Sequence, residues 1–202
     1  VEFYTGIGDF AWVVPESPGR VRIGICARSD AHSLFNAFLR RRLGKGHEKR
    51  VLGMQSGLIP VYDPRVRTSL GNTYLVGDSA LMVKATTAGG IIQGMLAAEC
   101  LSRYLVSGES YEKAWRRRIG TDLLLHLAIR RLMDRFTEKD YNRLVQIFTR
   151  QENRRLLEEF DRDYPRRFLL KLALQEPRLF GLARLLLRRS SVRKGIVAGE
   201  GT

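Results

Sequence analysis

The residues best suited to chemistry lie between Tyr74 and Ile92, in the run YLVGDSALMVKATTAGGII. Tyr74-Leu75-Val76 reads as a short buried strand, with Gly77 and Asp78 at its C-terminal end. A loop of Thr, Ala and Gly then feeds a helix expected from Ile91 to Val106, ended by Gly108. A glycine at such a turn lets backbone come close to a ligand. An aspartate just past a strand presents a carboxylate to sugar or polyol hydroxyls. The helix start offers unsatisfied N–H groups and a partial positive charge.

These parts suit an elongated polyol joined to a ring that gains negative charge on reduction, and flavin is a ligand of that kind. The plainer alternative is a tight turn between a core strand and a core helix, with Asp78 serving only the turn.

The elements around this segment follow from residue patterning. Phe10 to Val14, a PESPG turn and the alternating run Val21 to Ala27 predict a β-hairpin. Asp30 is placed to N-cap an amphipathic helix through about Leu43, with Leu34, Phe35, Phe38 and Leu39 on one face and Arg40 to Arg42 near its C-terminus. Gly44 to Gly46 ends that helix, and Val51 to Tyr62 is expected to be extended. Beyond Ser110 the pattern is helical throughout. One helix is expected from Tyr111 to about Phe136 with Leu125, Ile129, Leu132 and Phe136 on its face. Shorter ones are expected over Glu138 to Phe148, Glu152 to Phe160, Pro165 to Gln175 and Arg178 to Arg189.

Charge narrows the partners. The 202 residues carry a net charge of +14, and Ser110 to the end holds 22 Lys/Arg against 12 Asp/Glu. Basic surfaces attract nucleic acid, anionic headgroups or phosphorylated substrates. No zinc-ligand spacing or RNA-binding signature accompanies the charge, so nucleic acid is not the expected partner. The arginine pairs punctuate leucine-rich helices, which suits a solvated bundle or contact with an anionic membrane, with Arg178 to Arg189 the best candidate for the latter. Cys26 and Cys100 are two isolated thiols and the three histidines lack metal spacing, which fits a reducing, cytoplasmic compartment and no metal site. No apolar run is long enough to span a membrane.

The longer string VGDSALMVKATTAGGIIQGMLAAE resembles the second flavin-binding motif of the geranylgeranyl reductase family, within the FAD-dependent monooxygenase-like oxidoreductases. That family typically shows Gly-Asp-Ala, a few residues, then Pro-Thr-Thr-Gly-Gly-Gly-Ile and a helix. Gly77, Asp78, Ala80, Lys84, Thr86, Thr87, Gly89, Gly90 and Ile91 match, whereas Ser79, Ala85 and Ala88 depart. The resemblance implies that Asp78 binds the ribityl chain and that backbone around Ala88 to Ile91 faces the flavin pyrimidine, making Gly77, Asp78, Ala88, Gly89, Gly90 and Ile91 the cofactor-binding set. Alanine in place of glycine at Ala88 matters if that position needs a positive φ.

A second similarity lies in Phe10-Ala11-Trp12-Val13-Val14-Pro15, which resembles the family's Tyr-x-Trp-x-Phe-Pro pattern on its substrate-side sheet. It implies that Phe10, Trp12 and Pro15 bind substrate, since an aromatic strand suits a long isoprenoid chain. Apart from the family, Phe10, Trp12 and Val14 read as one face of a core strand.

The resemblance implies an α/β (α+β) fragment with three parts. Residues 1–66 are part of an antiparallel substrate-binding sheet, 67–108 the last strand and helix of a FAD-binding domain, and 109–202 a basic helical extension. The implied activity is FAD-dependent reduction of carbon–carbon double bonds in geranylgeranyl chains of lipids or a chlorophyll precursor. A prenylated lipid or isoprenoid is then the substrate, and a separate electron donor reduces the flavin. Two alternatives stand beside it: an aromatic or quinone hydroxylase of the same FAD class, and a non-catalytic basic membrane- or nucleic-acid-binding module. The family's Gly-x-Gly-x-x-Gly segment is not found and the chain begins at Val1. The expectation is therefore a piece missing its N-terminal FAD-binding portion and inactive alone. No catalytic residue is assigned.

Overall fold

A computed structural model describes residues 1–159 and 171–172. The helices expected over Pro165 to Gln175 and Arg178 to Arg189, and the membrane contact assigned to the latter, lie outside the described residues. The chain divides into two compact units, Val1–Leu58 and the residues from Ile59 onward. Helices and small antiparallel sheets make it a mixed α and β fold, as expected.

In the first unit, β1 (Glu2–Tyr4), β2 (Phe10–Ser17) and β3 (Arg20–Cys26) form an antiparallel sheet in that order. The expected hairpin is β2–β3, but its turn shrinks to Pro18-Gly19 because β2 runs on through Ser17 past an irregularity after Pro15. Strand β1, too short to show alternation, was not anticipated.

Successive side chains in a strand point to opposite faces. Ala11 and Val13 are buried with Phe38, Tyr4, Ile7, Ile23 and Ile25 around them. This corrects the reading of Phe10, Trp12 and Val14 as a core face: those residues have the other parity, and the core took the smaller side chains. Phe38 belongs to α1 (Ala31–Leu43), which begins where expected and ends at Gly44, whose N–H donates to Arg40 O. Asp30 precedes it, but with φ 52 and no side-chain cap bond, so it turns the chain without capping the helix. Arg42 pairs with Glu2 at 2.7 Å, tying α1 to β1.

The second unit is mainly helical. Tyr74 belongs to β5 (Thr73–Tyr74), which pairs only with β4 (Ser69–Leu70). The chain stays extended through Val76, and Leu75 N–H donates to Thr68 O. The expected strand Tyr74 to Val76 is thus reduced to a two-residue ladder, because β4 is the only strand paired with it among the described residues. Val51 to Tyr62 carries no assigned strand either.

Helix α2 (Ile91–Ser107) runs as expected to Gly108, which closes it with φ 72. Helix α3 (Tyr111–Trp115) continues through a π-helical turn (Arg116–Gly120) into α4 (Thr121–Met133). A π turn holds one residue more than an α turn and rotates everything after it. The buried stripe is Trp115, Ile119, Leu123 and Leu127, which pack with Tyr62, Ala80, Met82, Ala97, Cys100 and Tyr111. It replaces the expected face of Leu125, Ile129, Leu132 and Phe136. Phe136 instead nucleates a small cluster with Leu132, Met133, Tyr141 and Leu144.

Helix α5 (Glu138–Phe148) has the predicted limits and a Thr137/Asp140 capping box. Helix α6 (Gln151–Glu159) follows, and buried Asn153 donates to Ile147 O at 2.9 Å. No helix among the described residues is long and apolar enough to cross a membrane.

Candidate functional site

Each unit carries one candidate region. In the second, Val76 leads into a 3-10 turn over Gly77–Ala80. Gly77 has φ 67 and lies against Gly94 of α2: a Cβ on Gly94 would stand 3.3 Å from the Gly77 Cα. Glycine at both positions lets the turn rest on the helix. Met82 N–H donates to Gly77 O at 3.0 Å and Leu81 N–H to Asp78 O at 3.0 Å, closing the turn.

The loop then folds back. Lys84 N–H donates to Gly89 O at 3.0 Å and Ala88 N–H to Lys84 O at 2.9 Å. This brings Gly90 beneath the Asp78 carboxylate: a Cβ on Gly90 would lie 2.7 Å from Asp78 Oδ1 and 3.2 Å from Val83 Cγ2. Gly90 is the N-cap of α2 and supplies no side-chain cap. The first N–H groups of a 17-residue helix and an exposed carboxylate therefore stand side by side. Among the described residues the Asp78 side chain has no hydrogen-bond or ion-pair partner of its own. Such a pair can accept from hydroxyls and donate to a developing negative charge.

Ala88 has φ 57. The position does need left-handed backbone, and alanine occupies it at a cost of about 1 kcal/mol or more. Alanine in place of the family's glycine thus holds this loop with local backbone strain. Gly77, Asp78, Ala88, Gly89, Gly90 and Ile91 are all brought into this one turn–loop–helix corner. Ile91 and Met95 are exposed apolar residues on the first turns of the helix.

The support behind this corner was not foreseen. Tyr111 Oη donates to Leu75 O at 2.6 Å, and Trp115 Nε1 donates to buried Thr68 Oγ1 at 2.8 Å. Arg116, stacked 4.6 Å from the Trp115 ring, donates to Pro64 O and Val66 O at 2.9 and 3.0 Å. Burial pushes the Tyr111 phenol up to about 12, with the neighbouring Cys100 and Glu112 adding to it. Glu112 is pulled upward by burial, but hydrogen bonds from Arg116 and Ser69 outweigh this and leave it below the usual carboxylate range. The sequence signal was present in Tyr111, Trp115 and Ile119 at four-residue spacing, but the expected face was set on Leu125 and Ile129, two positions out of phase with Leu123 and Leu127.

In the first unit, the face of the sheet opposite α1 holds Phe3, Phe10, Trp12 and Val14. Phe3 pairs with Trp12 across β1–β2 and is 72% exposed. The Phe10 and Trp12 rings lie 5.7 Å apart. Trp12 is opposite Gly24, and a Cβ there would meet the indole at 2.1 Å, so the ring lies flat over the glycine. Phe10 and Trp12 are thus brought together on a half-buried aromatic face. Pro15, exposed and of opposite parity, does not join them.

The described residues thus join a mixed α and β fold to a corner with a glycine-lined turn, an unpaired aspartate and an uncapped helix start. Among curated proteins the chain has several homologues of the geranylgeranyl reductase family, named digeranylgeranylglycerophospholipid reductases. The digeranylgeranylglycerophospholipid reductase of Methanothrix thermoacetophila is 31% identical over 163 residues, covering 70% of this chain and 41% of that protein. Digeranylgeranylglycerophospholipid reductase 2 of Methanothermobacter thermautotrophicus is 32% identical over 155 residues, 66% of this chain and 39% of the relative. The Methanosarcina mazei reductase of the same name is 28% identical over 163 residues, 69% and 39% respectively. The chain thus spans about two fifths of the length of the curated relatives it matches. No family model and no solved structure matches it.

Proposed function

We propose that this chain forms the ribityl and pyrimidine side of the flavin site in an FAD-dependent reductase of geranylgeranyl lipids. One observation supports it most: the Asp78 carboxylate sits where only a glycine at position 90 leaves room for it, beside the uncapped N-terminus of α2. In this reading Asp78 accepts from ribityl hydroxyls. The N–H groups from Gly89 to Ile91 donate to the pyrimidine oxygen, and the exposed Ile91 lies along the ring. Gly77 lets the turn approach α2, and Ala88 holds the left-handed backbone that aims the loop. Bound FAD supplies the hydride chemistry.

Phe3, Phe10 and Trp12 form an apolar wall for the prenyl chain, which needs greasy surface and no hydrogen-bond partner. The assignment of residues 1–66 to the substrate side, 67–108 to the flavin side and 109–202 to a basic helical extension is part of this proposal. So are an electron donor for the flavin and contact with an anionic membrane. The lipid is favoured over a chlorophyll precursor because the relatives' names carry digeranylgeranylglycerophospholipid.

The full-length protein is expected to purify yellow, with absorption near about 450 nm. Incubated anaerobically with a reduced donor and a geranylgeranyl lipid, it should add two hydrogens per double bond. Gain of oxygen in the product would turn the assignment to a hydroxylase, and a protein that takes up no flavin would overturn it.

A further inference from the structure

Thr86, in the middle of the loop between Lys84 and Gly89, makes a side-chain hydrogen bond to a residue 40 positions away: its Oγ1 lies 2.8 Å from Nδ1 of His126. His126 is buried on α4, on the same side as Asp122, Leu123, Leu127 and Arg130. Asp122, His126 and Arg130 recur every four residues, so this side of α4 carries a polar row beside its leucines. Arg130 closes the row with a 2.8 Å ion pair to Asp134.

The bond has a consequence for the loop. Ala88, two residues after Thr86, is held at φ 57, a conformation that alanine keeps only when its surroundings over-determine it. Three backbone bonds close the loop on itself, but none of them fixes it to the rest of the unit. The Thr86–His126 bond does, and His126 is itself locked by burial on a long helix. We propose that His126 is a positioning residue: through Thr86 it holds the Lys84–Gly90 loop in the conformation that presents its N–H groups to the ligand. This role rests on the flavin reading above only for the identity of that ligand.

The test uses the full-length protein with Thr86→Val, Thr86→Ser, His126→Leu and the Thr86→Val/His126→Leu pair. Amide hydrogen exchange over residues 84–90 and FAD affinity, read from the flavin absorption band, are measured in each. Loss of one partly buried hydrogen bond is worth about three- to tenfold in an equilibrium. Thr86→Val and His126→Leu should each accelerate loop exchange and weaken FAD by about that factor. The double variant should be no worse than the worse single one, and Thr86→Ser should restore both readouts. Variants that melt earlier yet keep wild-type loop exchange and FAD affinity would overturn the proposal, since the bond would then serve stability alone. A wild-type protein that binds no FAD overturns the flavin reading instead. Loop exchange in the same samples still decides the anchor: acceleration upholds it and unchanged exchange overturns it.

Discussion

The sheet of the first unit and the turn–loop–helix corner of the second build their candidate surfaces by opposite means. In the sheet, strand alternation does the work: Ala11 and Val13 go inward beneath α1, and every second residue is left to form an aromatic face. Each side chain acts through its own area, so the face is repetitive and tolerant. In the corner, side chains do little and backbone does most. Gly77, Ala88 and Gly90 shape N–H groups around one carboxylate, and Tyr111, Trp115 and Arg116 hold the approach to it from behind. Losing a contact in the sheet should therefore cost area, whereas losing one in the corner should cost geometry.

The largest effect that separates them is expected at Trp115, which is 1% exposed and hydrogen-bonded to Thr68. Trp115→Ala should destabilise the protein by about 3–5 kcal/mol, read from urea denaturation. Trp12→Ala, on the half-open face, should cost clearly less in stability while weakening binding of a prenyl lipid. Equal stability losses would erase the distinction.

Alkaline pH should strike the corner next. The Tyr111 phenol, raised to about 12, is favoured in its protonated form by folding, so its contribution is fully present below about pH 10, its unfolded value, and fades as pH rises through 12. The thermal midpoint should fall over that interval, and Tyr111→Phe should flatten the fall. At the acid end Glu112, held low in the fold, acts in reverse. Its contribution is fully present above about pH 4.3, its unfolded value, and is lost as pH falls through its lower folded value.

Smaller and more local is Gly90→Ala, whose methyl would lie 2.7 Å from Asp78 Oδ1. It should push the carboxylate away and weaken FAD by at least about tenfold, a difference of about 1.4 kcal/mol, with little change in melting. The matching change in the sheet, Gly24→Ala, should lift the Trp12 indole and leave flavin affinity untouched. The smallest expected effect runs the other way. Ala88→Gly should stabilise the protein by about 1 kcal/mol by relieving the left-handed alanine, measurable as a raised urea midpoint.

Much of the architecture was legible because it rests on local signals. The β2–β3 hairpin, α1, α2 with its Gly108 stop and α5 with its Thr137 cap all have their instructions within a few residues. The turn, loop and helix start from Gly77 to Ile91 were legible for the same reason: they are consecutive in the chain. The family pattern groups Pro15 with Phe10 and Trp12, but strand parity sends it to the opposite face. The inward face of α4 was misjudged because the expectation was set on Leu125 and Ile129, two positions out of phase with the four-residue series that starts at Trp115 and reaches Leu123 and Leu127.

By itself, then, the sequence determined where the chain turns and the kinship with geranylgeranyl reductases. Those depend on residue identity and on spacings of a few residues. Tertiary structure alone decided which side of β2 is buried, that Ala88 adopts left-handed backbone, and that Tyr111, Trp115 and His126 bond to Leu75, Thr68 and Thr86. Each of those depends on contacts made across tens of residues, where burial and register are settled by the partner and not by the local pattern.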